Sequence, residues 1–371
     1  MPAATLKIDI LDKVSECALL HRGGEADVYG IVADGSEYVL KWYGKGARYD
    51  EDVVQKLKSL NMPGLYRIRE SGIREKVPYL VYDFIQGVNS AEALPMPVSV
   101  AIALLRKVAQ TLSALEKSGI HHGDLSPKNV MLSRIGKELY PVLIDCGIVG
   151  PGALAYAAPE RIQGKAASTR SDLFSLGMLL FCWISGHDLL ESKDYDSLVS
   201  QSASIDQTDV SEALYGMGSC DAQELSALAP LWKSLLRADP ENRAEDFDEL
   251  DELLEIALST LGVGEVSLQT ALQKYADSVF VGKSGPKFPA SVLDAEKTAI
   301  PYRKQLLLPK KNKGKYFVWG LFGLILVLIT LWLVLGRQTP DIDATGNLLL
   351  EKSRSLDSVD LEDSGALRGL P

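Results

Sequence analysis

The chain has 371 residues, and its 39 Lys+Arg against 49 Asp+Glu give a formal charge of −10, which lacks the basic footprint that nucleic-acid binding needs. Hydrophobic residues at 46% and charged residues at 24% sit near globular averages and exclude wholesale disorder. The four cysteines, Cys17, Cys146, Cys182 and Cys220, are scattered without a CxxC pair, which excludes a zinc ribbon or a disulfide framework.

The first ninety or so residues carry β-like runs, among them Tyr38-Val39-Leu40-Lys41-Trp42 and Tyr79-Leu80-Val81-Tyr82. From Pro97 the pattern turns helical. Ala101, Leu104, Leu105, Val108, Leu112 and Leu115 follow the 3.6-residue period, and Gly119 is placed as a C-cap. A small sheet lobe followed by a larger helical lobe is therefore expected, an α+β fold in two lobes.

Between the two lobes stands His121-His122-Gly123-Asp124-Leu125-Ser126-Pro127-Lys128-Asn129, and Ile144-Asp145-Cys146-Gly147 follows after a short apolar strand. An Asp with an Asn five residues later, then Asp-x-Gly, is the set that phosphoryl transfer from Mg-ATP requires. One carboxylate orients or deprotonates the attacking hydroxyl; the Asn and the second carboxylate hold magnesium across the phosphates.

Toward the C-terminus, residues 263–315 carry scattered Ser, Gly, Pro and Lys and read as a linker, with one helix expected around Ser267–Ser278. Tyr316–Gly336 is a 21-residue run without a charge. At about 1.5 Å per residue it spans roughly 30 Å, the hydrocarbon thickness of a bilayer. Arg303, Lys304, Lys310, Lys311, Lys313 and Lys315 precede it, and only Arg337 follows before Asp341 and Asp343. The positive-inside rule then places residues 1–315 in the cytoplasm and the acidic tail, 337–371, outside. The expectation is a single-pass protein of the cell (inner) membrane. Lys310, Lys311, Lys313 and Lys315 are positioned to meet anionic lipid headgroups.

With these motifs in view, residues 17–262 resemble the protein kinase family, specifically the eukaryotic-type (Hanks-type) Ser/Thr kinases of bacteria with a single membrane anchor. Gly23-Gly24-Glu25-Ala26-Asp27-Val28 sits at the glycine-rich loop, and Lys41 at the lysine that holds the α/β-phosphates. Ala158-Pro159-Glu160 looks like the Ala-Pro-Glu element. Ser171-Asp172-Leu173-Phe174-Ser175-Leu176-Gly177 is similar to the buried helix whose Asp holds the catalytic-loop backbone, and Arg243 matches the partner of Glu160. The resemblance implies a protein kinase-like fold, ATP and Mg2+ as cofactors and protein substrates. It implies Asp124 and Lys41 as catalytic residues. It further implies ATP contacts from Gly23, Gly24, Val28, Tyr82, Asp83 and Phe84, Mg2+ on Asn129 and Asp145, and structural roles for His122, Gly147, Glu160, Asp172 and Arg243. Residues 1–16 are left as an N-terminal extension. The His-Gly-Asp-Leu wording is also similar to small-molecule kinases of the aminoglycoside and choline type, which generally lack the Ala-Pro-Glu element, the buried helix and its Arg partner.

The chain departs from the family pattern at several positions. His21 and Ala26 replace the first and third glycines. Val53 stands where a helix Glu pairs with Lys41, with Glu51 two residues away as an alternative partner. Gly123 replaces the Arg that clamps a phosphorylated activation loop, and the short segment from Asp145 to Glu160 holds Tyr156 as its only hydroxyl. Ser126 replaces a Lys, and Ala153 replaces a Thr that bonds the catalytic Asp. A phosphorylation-independent kinase is the leading expectation; a catalytically impaired scaffold or nucleotide-binding switch is the alternative.

Overall fold

The computed structural model describes residues 9–44, 50–147, 153–191 and 194–280. Five antiparallel strands form the first lobe: β1 (Val14–Arg22), β2 (Ala26–Ala33), β3 (Ser36–Tyr43), β4 (Ile68–Arg74) and β5 (Val77–Asp83), in the order β1-β2-β3-β5-β4. The β2–β3 hairpin closes through Asp34-Gly35, both at positive φ, the Asp-Gly pair that a two-residue primed turn favours. Side chains on β3 alternate between two cores. Leu40 and Trp42 join Leu11, Ile31 and Tyr79 on the outer face, where Trp42 stacks on Tyr79 at 6.0 Å. Val39 and Tyr43 enter the inner core shared with the second lobe.

Helix α1 (Glu51–Ser59) lies against that inner face through Val54 and Leu57. Asp50 caps it by accepting from the N–H groups of Asp52 and Val53, which satisfies two of its orphan donors. A three-stranded sheet, β6 (Gly87–Asn89), β7 (Val130–Ile135) and β8 (Glu138–Leu143), underlies the cleft.

The second lobe is built on α2 (Val98–Glu116), α4 (Thr169–Ser185), α7 (Ala222–Leu235) and α8 (Phe247–Thr260), with shorter helices α3 (Pro159–Ile162), α5 (Tyr195–Ala203) and α6 (Val210–Gly216). Every residue of α4 from Ser171 to Ser185 is buried, as expected of a helix apolar all round. A Ser168–Ser171 capping box starts α4 and left-handed Gly186 ends it. Gly177 lets α4 meet α7 closely, because a Cβ there would lie 2.7 Å from Leu236. Helix α2 is long and apolar enough to cross a membrane by those criteria, the one such helix among the described residues, but its apolar side chains form the lobe's core. The expected span, 316–336, and the tail, 337–371, lie outside the described residues.

Two expected boundaries move. Residues 9–16 belong to the sheet lobe rather than to an extension: Leu11 is buried, β1 begins at Val14, and Arg74 bonds Asp12 at 2.7 Å. The linker expected from residue 263 instead opens with α9 (Glu265–Phe280), which buries Leu268, Leu272, Tyr275 and Ala276. The Tyr275 hydroxyl donates to the Ala93 carbonyl, and Arg134 pairs with Asp277 at 2.5 Å. The folded body thus runs on to Phe280. The remainder of the linker, with its lysines, lies outside the described residues.

Candidate active site

The β1–β2 turn runs through Gly23-Gly24-Glu25. Gly23 donates its N–H to the Ala26 carbonyl at 3.0 Å, and a Cβ on Gly23 would stand 2.6 Å from that oxygen, so the turn needs glycine there. Gly24 faces open space. His21 is exposed and pairs in register with Val28, whereas Ala26 is buried in the inner core. Val28 on β2 is the cross-strand partner of Lys41, which brings the loop and the lysine together.

Lys41 reaches across the cleft to Asp145, with Nζ 2.8 Å from Oδ1. Neither expected helix position supplies its partner. Glu51 is exposed at the start of α1, and Val53 packs on Gly147, where a Cβ would meet Val53 Cγ1 at 2.6 Å. Gly147, at φ +72°, is therefore held as glycine by conformation and by packing, and its N–H donates to the His122 carbonyl at 3.1 Å. Asp145 itself sits at φ +61°, a left-handed conformation that is costly for a non-glycine residue and clusters at functional sites.

Tyr82 lies on β5, in the inner core. It is buried edge-on to Tyr66 at 5.3 Å, and burial pushes both hydroxyls well above the ordinary tyrosine value. The Asp83 carboxylate turns to Arg69, at 2.6 and 2.7 Å. The Asp83 N–H donates to the Arg67 carbonyl and the Phe84 N–H to the Glu37 carbonyl. The Asp83 carboxylate is thus taken up in an ion pair.

The Asp124 carboxylate is held at both oxygens. Oδ1 accepts the Ala153 N–H at 2.8 Å, and Oδ2 accepts Asn129 Nδ2 at 2.9 Å. Asn129 Nδ2 also donates to the Asp124 carbonyl at 2.7 Å, which leaves the amide oxygen as the group able to meet a cation. At Ala153 the backbone N–H performs the bond that a threonine hydroxyl would have made. Ser126 is buried and offers nothing to an incoming substrate, whereas Lys128 is exposed.

Beneath Asp124 lies a buried scaffold. His122 is completely buried; its Nε2 meets the Ile144 carbonyl at 3.1 Å and its Nδ1 faces the Asp124 N–H at 3.3 Å. Burial lowers its pKa, so the ring is neutral, donating at Nε2 and accepting at Nδ1, a structural role. Asp172 accepts the N–H groups of His122 and Gly123 at 2.8 and 2.9 Å. Burial raises its pKa to about 6, against the pull of those bonds and of His121 and Arg161. Gly123 stands at φ +73°, and a Cβ there would lie 3.1 Å from Ala167 Cβ and 3.5 Å from Arg161 Nη2. The guanidinium of Arg161, a residue not singled out in the sequence, borders the space left by the missing arginine.

Glu160 and Arg243 form a buried bidentate pair at 2.6 and 2.8 Å. Arg243 also bonds the carbonyls of Arg237, Ala238 and Arg170, and its guanidinium lies 4.9 Å from the Phe174 ring centroid. Tyr156, its ring buried, donates to the exposed Asp188 carboxylate, and burial together with that bond raises its pKa far above the tyrosine range.

Comparisons with known proteins agree with this architecture. The chain is 30% identical over 236 residues to the serine/threonine-protein kinase pkn2 of Myxococcus xanthus, covering 58% of this chain and 28% of that protein. It is 31% identical over 145 residues to the serine/threonine-protein kinase PknL of Mycobacterium tuberculosis, covering 34% of this chain and 36% of that one. The chain thus spans about a third of the length of these relatives. The kinase domain of Mycobacterium tuberculosis PknI superposes over 67% of this chain and 99% of its own, with a TM-score of 0.50 at 17% identity, a likeness of fold. A family model described as "Protein kinase domain" matches residues 16–254, which takes in the glycine turn, Lys41, the Asp124 loop, Asp145 and the Glu160–Arg243 pair, and the chain therefore belongs to the protein kinase family.

Proposed function

We propose that the protein is a membrane-anchored kinase that transfers the γ-phosphate of Mg-ATP to Ser or Thr hydroxyls of protein substrates. The observation that carries this reading is two pairs on either side of buried His122: Lys41 with Asp145 at 2.8 Å, and Asn129 with Asp124 at 2.9 Å. The donor set suits magnesium. Among the described residues no cluster of three or more His, Cys, Asp or Glu forms a cage, and Mg2+ is usually held by one or two carboxylates plus substrate phosphates. Asp145 and the Asn129 oxygen would hold the ion, which neutralises charge across the phosphates when bound. Lys41 exchanges part of its bond to Asp145 for the α/β-phosphates. Asp124, fixed by Ala153 N–H and Asn129, orients the substrate hydroxyl and accepts its proton. The loop around Gly23 and Gly24 covers the phosphates, and Tyr82 limits the depth of the adenine pocket.

The anchor rests on the uncharged run Tyr316–Gly336 and the basic residues before it. Full-length protein should fractionate with membranes and resist carbonate extraction, and release into the soluble fraction would reject the anchor. For the activity, full-length chain in detergent should transfer labelled phosphate from Mg-ATP, and Asp124→Asn should abolish transfer. No transfer to itself or to any protein tested would reject it.

The absence of a helix carboxylate beside Lys41 favours one second reading, a nucleotide-binding switch without turnover. Mg-ATP at a hundred times its Kd should stabilise the fold by about 2.7 kcal/mol. A thermal shift of that order without phosphate transfer supports the switch, and no shift at all leaves only a scaffold.

A further inference from the structure

Among the described residues Lys41 is the one buried lysine. A buried ammonium persists only with strong compensation. Asp145 supplies one partner at 2.8 Å, and α1, carrying Val53, supplies none. A second source of compensation lies on the lysine's own strand. Residues two apart on a strand share a face, so Lys41 and Tyr43 of β3 point the same way. Lys41 Nζ lies over the Tyr43 ring, 5.4 Å from its centroid, and Tyr43 is itself only 4% exposed. This is within the range at which a cation is drawn to an aromatic face, and the attraction grows when water is excluded.

We propose that Tyr43 is the positioning residue for Lys41, its aromatic face taking the place of the carboxylate that Val53 has displaced. The proposal rests on the nucleotide-binding reading above. A ring differs from a carboxylate in one respect: it stabilises the ammonium without adding a negative charge. Asp145 remains the anionic partner of Lys41, and among the described residues no second carboxylate stands beside it to repel an incoming phosphate. The contribution of Tyr43 therefore falls on nucleotide affinity and on the contact itself, before any phosphoryl transfer.

The test is calorimetric titration of full-length protein with ADP, with melting of each variant measured alongside. Tyr43→Leu should weaken ADP binding about tenfold, the size of a desolvated cation–π contact. Tyr43→Met, apolar, unbranched and faceless, serves if the leucine variant does not fold. Tyr43→Phe keeps the ring and should recover affinity to within about threefold. Val53→Glu in the Tyr43→Leu chain should restore most of the loss. Leucine or methionine variants that bind as tightly as wild type, a phenylalanine variant as weak as leucine, or no rescue by Val53→Glu would each overturn the proposal.

If wild type binds no ADP, the nucleotide reading fails, and a double-mutant cycle still decides the inference. Tyr43→Leu should lower the folding constant about tenfold more in the Lys41 chain than in Lys41→Met, and equal effects would overturn it.

Discussion

Restoring the arginine that the family resemblance leads one to expect at position 123 should damage this protein. Gly123 stands at φ +73°, where a residue with a Cβ costs about 1–2 kcal/mol. The new Cβ would lie 3.1 Å from Ala167 Cβ, so one of the two must give way by a few tenths of an ångström. An arginine must in addition share its space with the Arg161 guanidinium, whose Nη2 is 3.5 Å from the added carbon. Gly123→Ala should therefore lose about 1–2 kcal/mol and Gly123→Arg about 2–4 kcal/mol. Denaturant unfolding followed by tryptophan fluorescence measures both. The Gly123 N–H bonds Asp172 one residue before Asp124, so turnover should fall at least about tenfold as the loop shifts. Combining Gly123→Arg with Arg161→Ala should cost less than the two changes added together. A Gly123→Arg protein as stable and as active as wild type would show that the loop does not depend on the left-handed glycine and the neighbouring guanidinium.

Three further outcomes follow from the buried groups. Arg243→Met leaves the Glu160 carboxylate buried without its bidentate partner and should destabilise the fold by about 3–5 kcal/mol in the same unfolding assay. Asp172 has its folded pKa raised to about 6, so between the unfolded value near 3.9 and pH 6 the native state binds more protons, and this group's contribution to stability declines as pH rises through that window. Asp172→Asn should flatten the pH 4–7 stability profile by about 2–3 kcal/mol, and an unchanged slope would remove Asp172 as its source. Tyr156→Phe should retain phosphate transfer, because the ring is buried and its hydroxyl is engaged by Asp188; a stoichiometric phosphate on Tyr156 that raises turnover, seen by mass spectrometry, would refute this.

The two-lobed division and the order of the motifs were legible in the sequence because each rests on side-chain chemistry at short spacing. An Asp with an Asn five residues on, an Asp-x-Gly and an apolar helix that buries one Asp carry their meaning in residue type. His122, Asp172, Glu160 and Arg243 lie in buried polar contacts, His122 with the Ile144 carbonyl, Asp172 with the His122 and Gly123 N–H groups, and Glu160 with Arg243. Helix α9 was half legible: its centre was visible around Ser267–Ser278, but its docking was not, since a single apolar stripe of Leu268, Leu272, Tyr275 and Ala276 does not say what covers it.

What only the tertiary structure decided are contacts that close through space or through the backbone. The bond from Ala153 to Asp124 comes from an N–H that nearly every residue possesses, so the loss of a threonine hydroxyl looked like the loss of the contact. Gly123 read as a missing arginine until its positive φ and the nearby Arg161 showed a loop built around glycine. The partner of Lys41 was sought on helix α1, by analogy, and lies instead on Asp145 and over the Tyr43 ring. Sequence states which groups are present. Distance and burial decide which of them meet, because a buried charge takes whatever compensation the folded chain brings within reach.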